Sequence, residues 1–171
     1  MVRKRVDAKD PAAIKFLGDQ YSIGGYGLEK NVPRAMELLT EAAELGSIDA
    51  HFNLGNRYFH GEGVPKDEAK AVQHWEKAAM QGCANSRTCL GVLAVRKGNY
   101  ERGFRHYLIA AKMGDKVALD NIRRQFARGD ATKEQYAEAL KGYQESVDET
   151  KSPERDEAMR LRTSTKGGHS R

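Results

Sequence analysis

The stretch "GEGVPKDEAKA" at 61–71 has the makings of a phosphate cradle: two glycines around an acid, then a lysine ahead of a helix. A Walker-type loop needs Gly-x₄-Gly-Lys-Ser/Thr after a strand, with backbone amides and a helix N-terminus aimed at the phosphate. Here Gly61 and Gly63 follow a helical pattern, Lys66 is displaced, and no Ser/Thr comes next. Metal chemistry is no better supplied. His51 and His60 are nine residues apart, about 900° of helical rotation, which sets them on opposite faces. His74 and His106 occupy equivalent repeat positions where Leu38 stands in the first copy, so they read as packing residues. Cys83 and Cys89 are too few for a disulfide framework and, six helical residues apart, about 9 Å, too distant to bridge. A reactive thiol needs electropositive surroundings, and Cys89 reads instead as a small, semi-buried packing residue. No Ser/His/Asp constellation can be argued. The residues therefore predict no catalytic group, no metal and no cofactor.

The elements around these residues explain the glycines. "FLGDQY" at 16–21 aligns with "NLGNRY" at 53–58, "CLGVLA" at 89–94 and, more weakly, "NIRRQF" at 121–126. A second block recurs behind it, with Ala42-Ala43-Gly46, Ala78-Ala79-Gly82 and Ala110-Ala111-Gly114 in register. The connection between the blocks varies, from "GGYGLEKNVPRA" through "GEGVPKDEAKA" to "KGNYERG". Length variation confined to one place is the behaviour of a loop between two fixed elements. Each copy is thus a helix pair. Helices are predicted near 11–23/32–45, 48–60/67–81, 84–97/100–113 and 115–128/132–149, with a short one after Ser152-Pro153. Asp10, Ser47 and Asp67 are candidate N-caps, and Thr132 with Gln135 has capping-box spacing. Gly18, Gly55 and Gly91 let backbones approach, while Tyr21, Tyr58, Trp75 and Tyr107 fill the space between helices. One pair cannot bury its apolar face, and stacked pairs can. The expected fold class is all-α, a right-handed α–α superhelix of about four antiparallel helix pairs.

The division expected along the chain is a basic extension at 1–10, repeats at 11–46, 47–82 and 83–114, a degenerate fourth repeat or C-terminal cap at 115–150, and a short helix with a disordered basic tail at 151–171. The net charge of +5 sits in the ends: residues 1–10 carry four bases and two acids, and 158–171 four bases and no acid. Residues 11–157 hold 21 bases and 22 acids. A nucleic-acid binder concentrates bases on a folded face, so no nucleic-acid partner is expected. No apolar run reaches the roughly 18–20 residues that span a bilayer, and no hydrophobic segment follows "MVRKRVDAKDP". With two cysteines and no Asn-x-Ser/Thr sequon, a reducing, cytoplasmic location is expected.

From Ala50 to Gly82 the second copy reads A-x₃-LG-x₂-Y-x₂-G-x-GV-x₂-D-x₂-KA-x₃-W-x₂-AA-x₂-G. This resembles the Sel-1-like repeat, a relative of the tetratricopeptide repeat, and the likeness covers about residues 12–145. The first copy departs by an insertion at Gly25-Tyr26 and by Leu39 at the Trp75 position. The fourth has Ile122 and Phe126 in place of Leu and Tyr. The C-terminal stretch is similar to the cap of a subgroup whose repeats follow a RING-type zinc finger, but Cys83 and Cys89 lie inside the array and build no such module. The resemblance implies an adaptor or scaffold that binds a peptide or helix on a concave face lined by first helices. Spacing from the Leu-Gly motif assigns to that face Lys15, Asp19 and Ser22, then Phe52, Asn56, Phe59 and His60. Thr88, Val92 and Arg96 follow, then Asp120, Arg124 and Arg128. The bases toward its C-terminal end predict a protein partner with an acidic stretch. The alternative is a structural spacer of a larger complex, such as a ubiquitin-ligase or protein-degradation assembly, in which Phe52 and Phe59 would be buried. A hydrolase is a third reading, without an identifiable nucleophile.

Overall fold

The computed structural model describes residues 2–150, and the expectations for 151–171 lie outside the described residues. The helices are α1 (Val2–Asp7), α2 (Pro11–Ile23), α3 (Val32–Glu44), α4 (Ile48–His60), α5 (Glu68–Met80), α6 (Ala84–Arg96), α7 (Tyr100–Lys112), α8 (Lys116–Arg128) and α9 (Lys133–Glu149). No strand occurs among the described residues. The eight helices expected from the repeats agree to within one residue at each end. Helix α1 lies in the stretch read as a basic extension, and its Val6 packs on the core.

Local chemistry sets the boundaries. Asp10 Oδ1 accepts from the Ala12 amide at 2.9 Å, Ser47 Oγ from the Ala50 amide at 3.2 Å and Asp67 Oδ1 from the Lys70 amide at 2.9 Å. Thr132 and Gln135 complete a reciprocal capping box. Each such cap contributes about 1 kcal/mol. Gly61 ends α4 in the left-handed region at φ +76°, its amide donating to the Arg57 carbonyl at 2.8 Å. Any residue with a Cβ there costs roughly 1–2 kcal/mol.

The chain divides into two compact units, residues 1–103 and the part from Phe104 onward, with the division inside α7. In the first, α2 packs on α3, α3 on α4, α4 on α5 and α5 on α6. Ile14, Leu38, Leu39 and Leu54 form one fully buried cluster, and Trp75, Ala71, Leu90 and Leu93 form the next. The half-buried Tyr58 packs against both. The second unit buries Tyr107, Ala110, Ala118, Leu119, Ile122 and Ala139, with α8 packed on α9. Phe126, at the degenerate position, stays partly exposed and stacks on Tyr136 with centroids 5.1 Å apart.

Candidate functional site

In the first unit the assigned residues fall on α2, α4 and α6 and form a graded series rather than an open surface. Lys15 Nζ bridges Asp19 at 2.8 Å, and Asp19 also accepts from Asn53 Nδ2 at 3.3 Å. Ser22 Oγ donates to the Gly18 carbonyl at 3.1 Å and accepts from an Arg57 Nη at 2.5 Å. Asn53 and Arg57, which the spacing argument left out, therefore carry the polar link from α4 to α2. Their polar type, one position before Leu54 and one before Tyr58, was the available signal.

Three assigned residues have structural duties. Asn56 Oδ1 accepts from the Trp75 indole N–H at 3.2 Å. Phe59 packs on the Trp75 ring at 5.2 Å, and Phe52 packs against the same cluster. Both phenylalanines are half-buried. Thr88 departs from the expected surface: it is only 7% exposed, on a helix that is buried on more than one side, with Ser86, Leu90 and Gly91 buried as well. His60, Val92 and Arg96 are exposed. Two cations lie over the Phe59 ring, Lys66 Nζ and the Arg96 guanidinium, each 5.5 Å from its centroid. A ring flanked by cations is held by its quadrupole and keeps positive charge at the surface.

In the second unit Asp120 is 3.7 Å from Arg123, and Arg124 donates to Asn121 Oδ1 at 3.2 Å. Arg128 is exposed in the last turn of α8. Arg123 donates to the Tyr136 hydroxyl at 3.3 Å, and that bond holds its guanidinium above the usual arginine range.

The histidines are paired in a way the helical-rotation argument did not foresee. His60 is exposed and His51 buried, as opposite faces require. But His51 on α4 and His74 on α5 meet with their Nδ1 atoms 2.9 Å apart, one ring donating and the other accepting. His74 also stacks on Tyr58 at 5.7 Å. Burial first, then the positive charges of His51, Lys77 and Lys70, push His74 down to about 4. Burial and then Lys77 lower His51 as well. The pair is a packing contact made of two neutral rings. No group of three or more His, Cys, Asp or Glu is arranged to hold a metal among the described residues. Cys83 and Cys89 are both half-buried and are not joined in a disulfide, and Cys83 Sγ accepts from Ser86 Oγ at 3.3 Å.

The helix-pair register of α2 through α7 is what a comparison with known proteins can decide. The Sel1 repeat profile matches residues 11–47, 48–83 and 90–115, more than half of the chain. The chain belongs to the Sel1 repeat family. A Sel1 repeat protein from Oxalobacter formigenes superimposes with a TM-score of 0.68 and 33% identity, over 83% of this chain and 60% of that one. A protective antigen of uropathogenic Escherichia coli strains, displaying an SLR fold, gives 0.72 and 28% identity, over 88% of this chain and 33% of that one. The fold class is therefore that of the all-α Sel1 solenoids. Chitin synthase regulatory factor 4 of Schizosaccharomyces pombe is 34% identical over 108 residues, 62% of this chain. The ERAD-associated E3 ubiquitin-protein ligase component HRD3B of Arabidopsis thaliana is 35% identical over 72 residues, 42% of this chain. The matches span 17% and 12% of those curated relatives. Sel1 repeat proteins are generally non-enzymatic scaffolds for protein interaction. No helix among the described residues is long and apolar enough to cross a membrane.

Proposed function

We propose that this Sel1 repeat chain is a non-catalytic adaptor that takes a peptide or helix with an acidic stretch on its first-helix face. The observation that carries the reading is Phe59 with Lys66 and Arg96 over its ring and the exposed His60 against it, the exposed Val92 lying one turn before Arg96 on α6. An acidic segment with an aromatic or aliphatic anchor complements that surface, charge at the edge and apolar contact within. Asp19, Lys15 and Asn56 are already engaged within the chain and shape the face rather than supply free contacts. The second unit offers its own cations, Arg124 and Arg128 on α8.

The test is affinity purification with mass spectrometry of the wild type against Arg96→Glu and, separately, Arg124→Glu/Arg128→Glu. Partners recovered with the wild type are expected to be lost from the Arg96 variant and from both variants at raised salt. A partner held equally by all three sinks the charge part of the proposal. The spacer reading is favoured by one observation: Phe52 and Phe59 spend part of their surface on the Trp75 cluster. It gains if no partner responds to either variant.

A further inference from the structure

A cleft of about 440 Å³, to whose lining Phe59 does not contribute, lies between α3 and the second repeat. Its apolar lining is Met36 and Pro33 from α3, Tyr58 from α4 and Val64 from the α4–α5 turn. One wall is a stripe of α3 residues, Glu37, Thr40, Glu41 and Glu44, spaced to share one helix face. Arg34 bridges Glu37 at 2.6 Å. Glu41 and Glu44 are exposed and make no ion pair among the described residues.

The next repeat shows what an acidic second helix takes when its counterpart is present. On α5, Glu68 is bridged by Lys97 at 2.6 Å and Glu76 by Arg102 at 3.8 Å. Both cations come from the following repeat. In repeat register Lys97 corresponds to Gly61, which carries no charge, and Arg102 to Lys70. Lys70 instead lies over the Tyr58 ring at 5.2 Å and 3.8 Å from Asp67. In the same register Glu68 and Glu76 correspond to Val32 and Thr40, so Glu41 and Glu44 are further acids on α3, set beside an apolar floor and outside the positions that the next repeat closes with cations.

We propose that this cleft is a second docking surface, separate from the first-helix face, for a partner protein segment in which one apolar side chain is flanked by lysine or arginine. The apolar side chain rests on Met36, Tyr58 and Val64, and the flanking cations stand against the exposed Glu41 and Glu44, which no cation pairs among the described residues.

The experiment is fluorescence anisotropy on the full chain with two labelled decapeptides, one with a central leucine flanked by lysines and one with glutamates in place of the lysines. The lysine peptide is expected to bind and the glutamate peptide not. Glu41→Lys/Glu44→Lys weakens the lysine peptide by at least about fivefold, two exposed charge pairs being reversed. Glu76→Lys, on the bridged helix, leaves it unchanged. Lysine is native at the Glu41 register position, Lys77, so the variant keeps a helix-compatible residue, and its circular dichroism should match the wild type. Equal binding of both peptides, no binding of either, or indifference to the double variant overturns the proposal. Sedimentation of the free chain separates the other occupant: a dimer split by the double variant assigns the cleft to a second copy and overturns the partner. Neither failure touches the first-helix face, whose test uses other residues.

Discussion

Repeats one and two of the first unit share a register and differ in what fills it. In repeat one Leu39 stands where repeat two has Trp75, and Leu38 where it has His74. Ile14 stands where it has His51. Ile14, Leu38 and Leu39 form a fully buried aliphatic cluster, a solution that needs no partner chemistry. In repeat two the same places hold an indole tied to Asn56 and two imidazoles tied to each other. The backbone adjusts accordingly. A Cβ on Gly18 would stand 3.3 Å from its nearest neighbours, whereas on Gly55 it would stand 2.4 Å from the Trp75 ring. The Leu-Gly glycine is therefore far more tightly constrained where the partner is Trp75 than where it is Leu39, although both sites are close-packed. One motif letter has two strengths of requirement, set by the residue opposite.

The largest expected effect in this comparison is Trp75→Ala. Truncating a buried indole leaves a cavity and an unpaired Asn56, and a loss of about 3–5 kcal/mol is expected from urea unfolding. Next is Gly55→Ala, expected to cost about 1–3 kcal/mol by overpacking, against under about 1 kcal/mol for Gly18→Ala. Gly55→Ala made in the Trp75→Ala background should cost far less than in the wild type, since the obstacle is gone. Equal losses for the two glycine variants would show that the residue opposite does not set the requirement.

The smallest effect is one of pH. His74 is held down at about 4 while an unfolded imidazole titrates near 6.5. The unfolded chain therefore binds the extra proton first as pH falls. The contribution is complete above about 6.5 and is lost progressively from there toward about 4. Thermal midpoints should fall across that window. His51→Ile/His74→Leu, which installs the residues of repeat one, should flatten the fall without lowering the midpoint at neutral pH. A slope unchanged by that variant would mean that other groups carry the acid sensitivity.

The helices were legible because their stops are local: Asp10, Ser47, Asp67 and Thr132 cap from within three residues, and Gly61 ends α4 by its own backbone. Family membership was legible because the repeat is long and ordered from Ala50 to Gly82. The site was less so. Spacing places Asn56 and Phe59 on a face, but their bonds to Trp75 depend on how α4 meets α5. The His51–His74 contact is likewise tertiary, although Ile14 and Leu38, aligned with them, marked both positions as inward. Helix α1 has six residues and too short a pattern to read. The cations over Phe59 come from a turn and from the next repeat, separations that periodicity within one helix does not reach.

Tyr58 packs against two clusters at once. A ring shared in this way is a hinge pin for unfolding: neither repeat can come apart without stripping contacts from the other. The first unit should melt as one cooperative body rather than repeat by repeat, and trimming this side chain should broaden its transition.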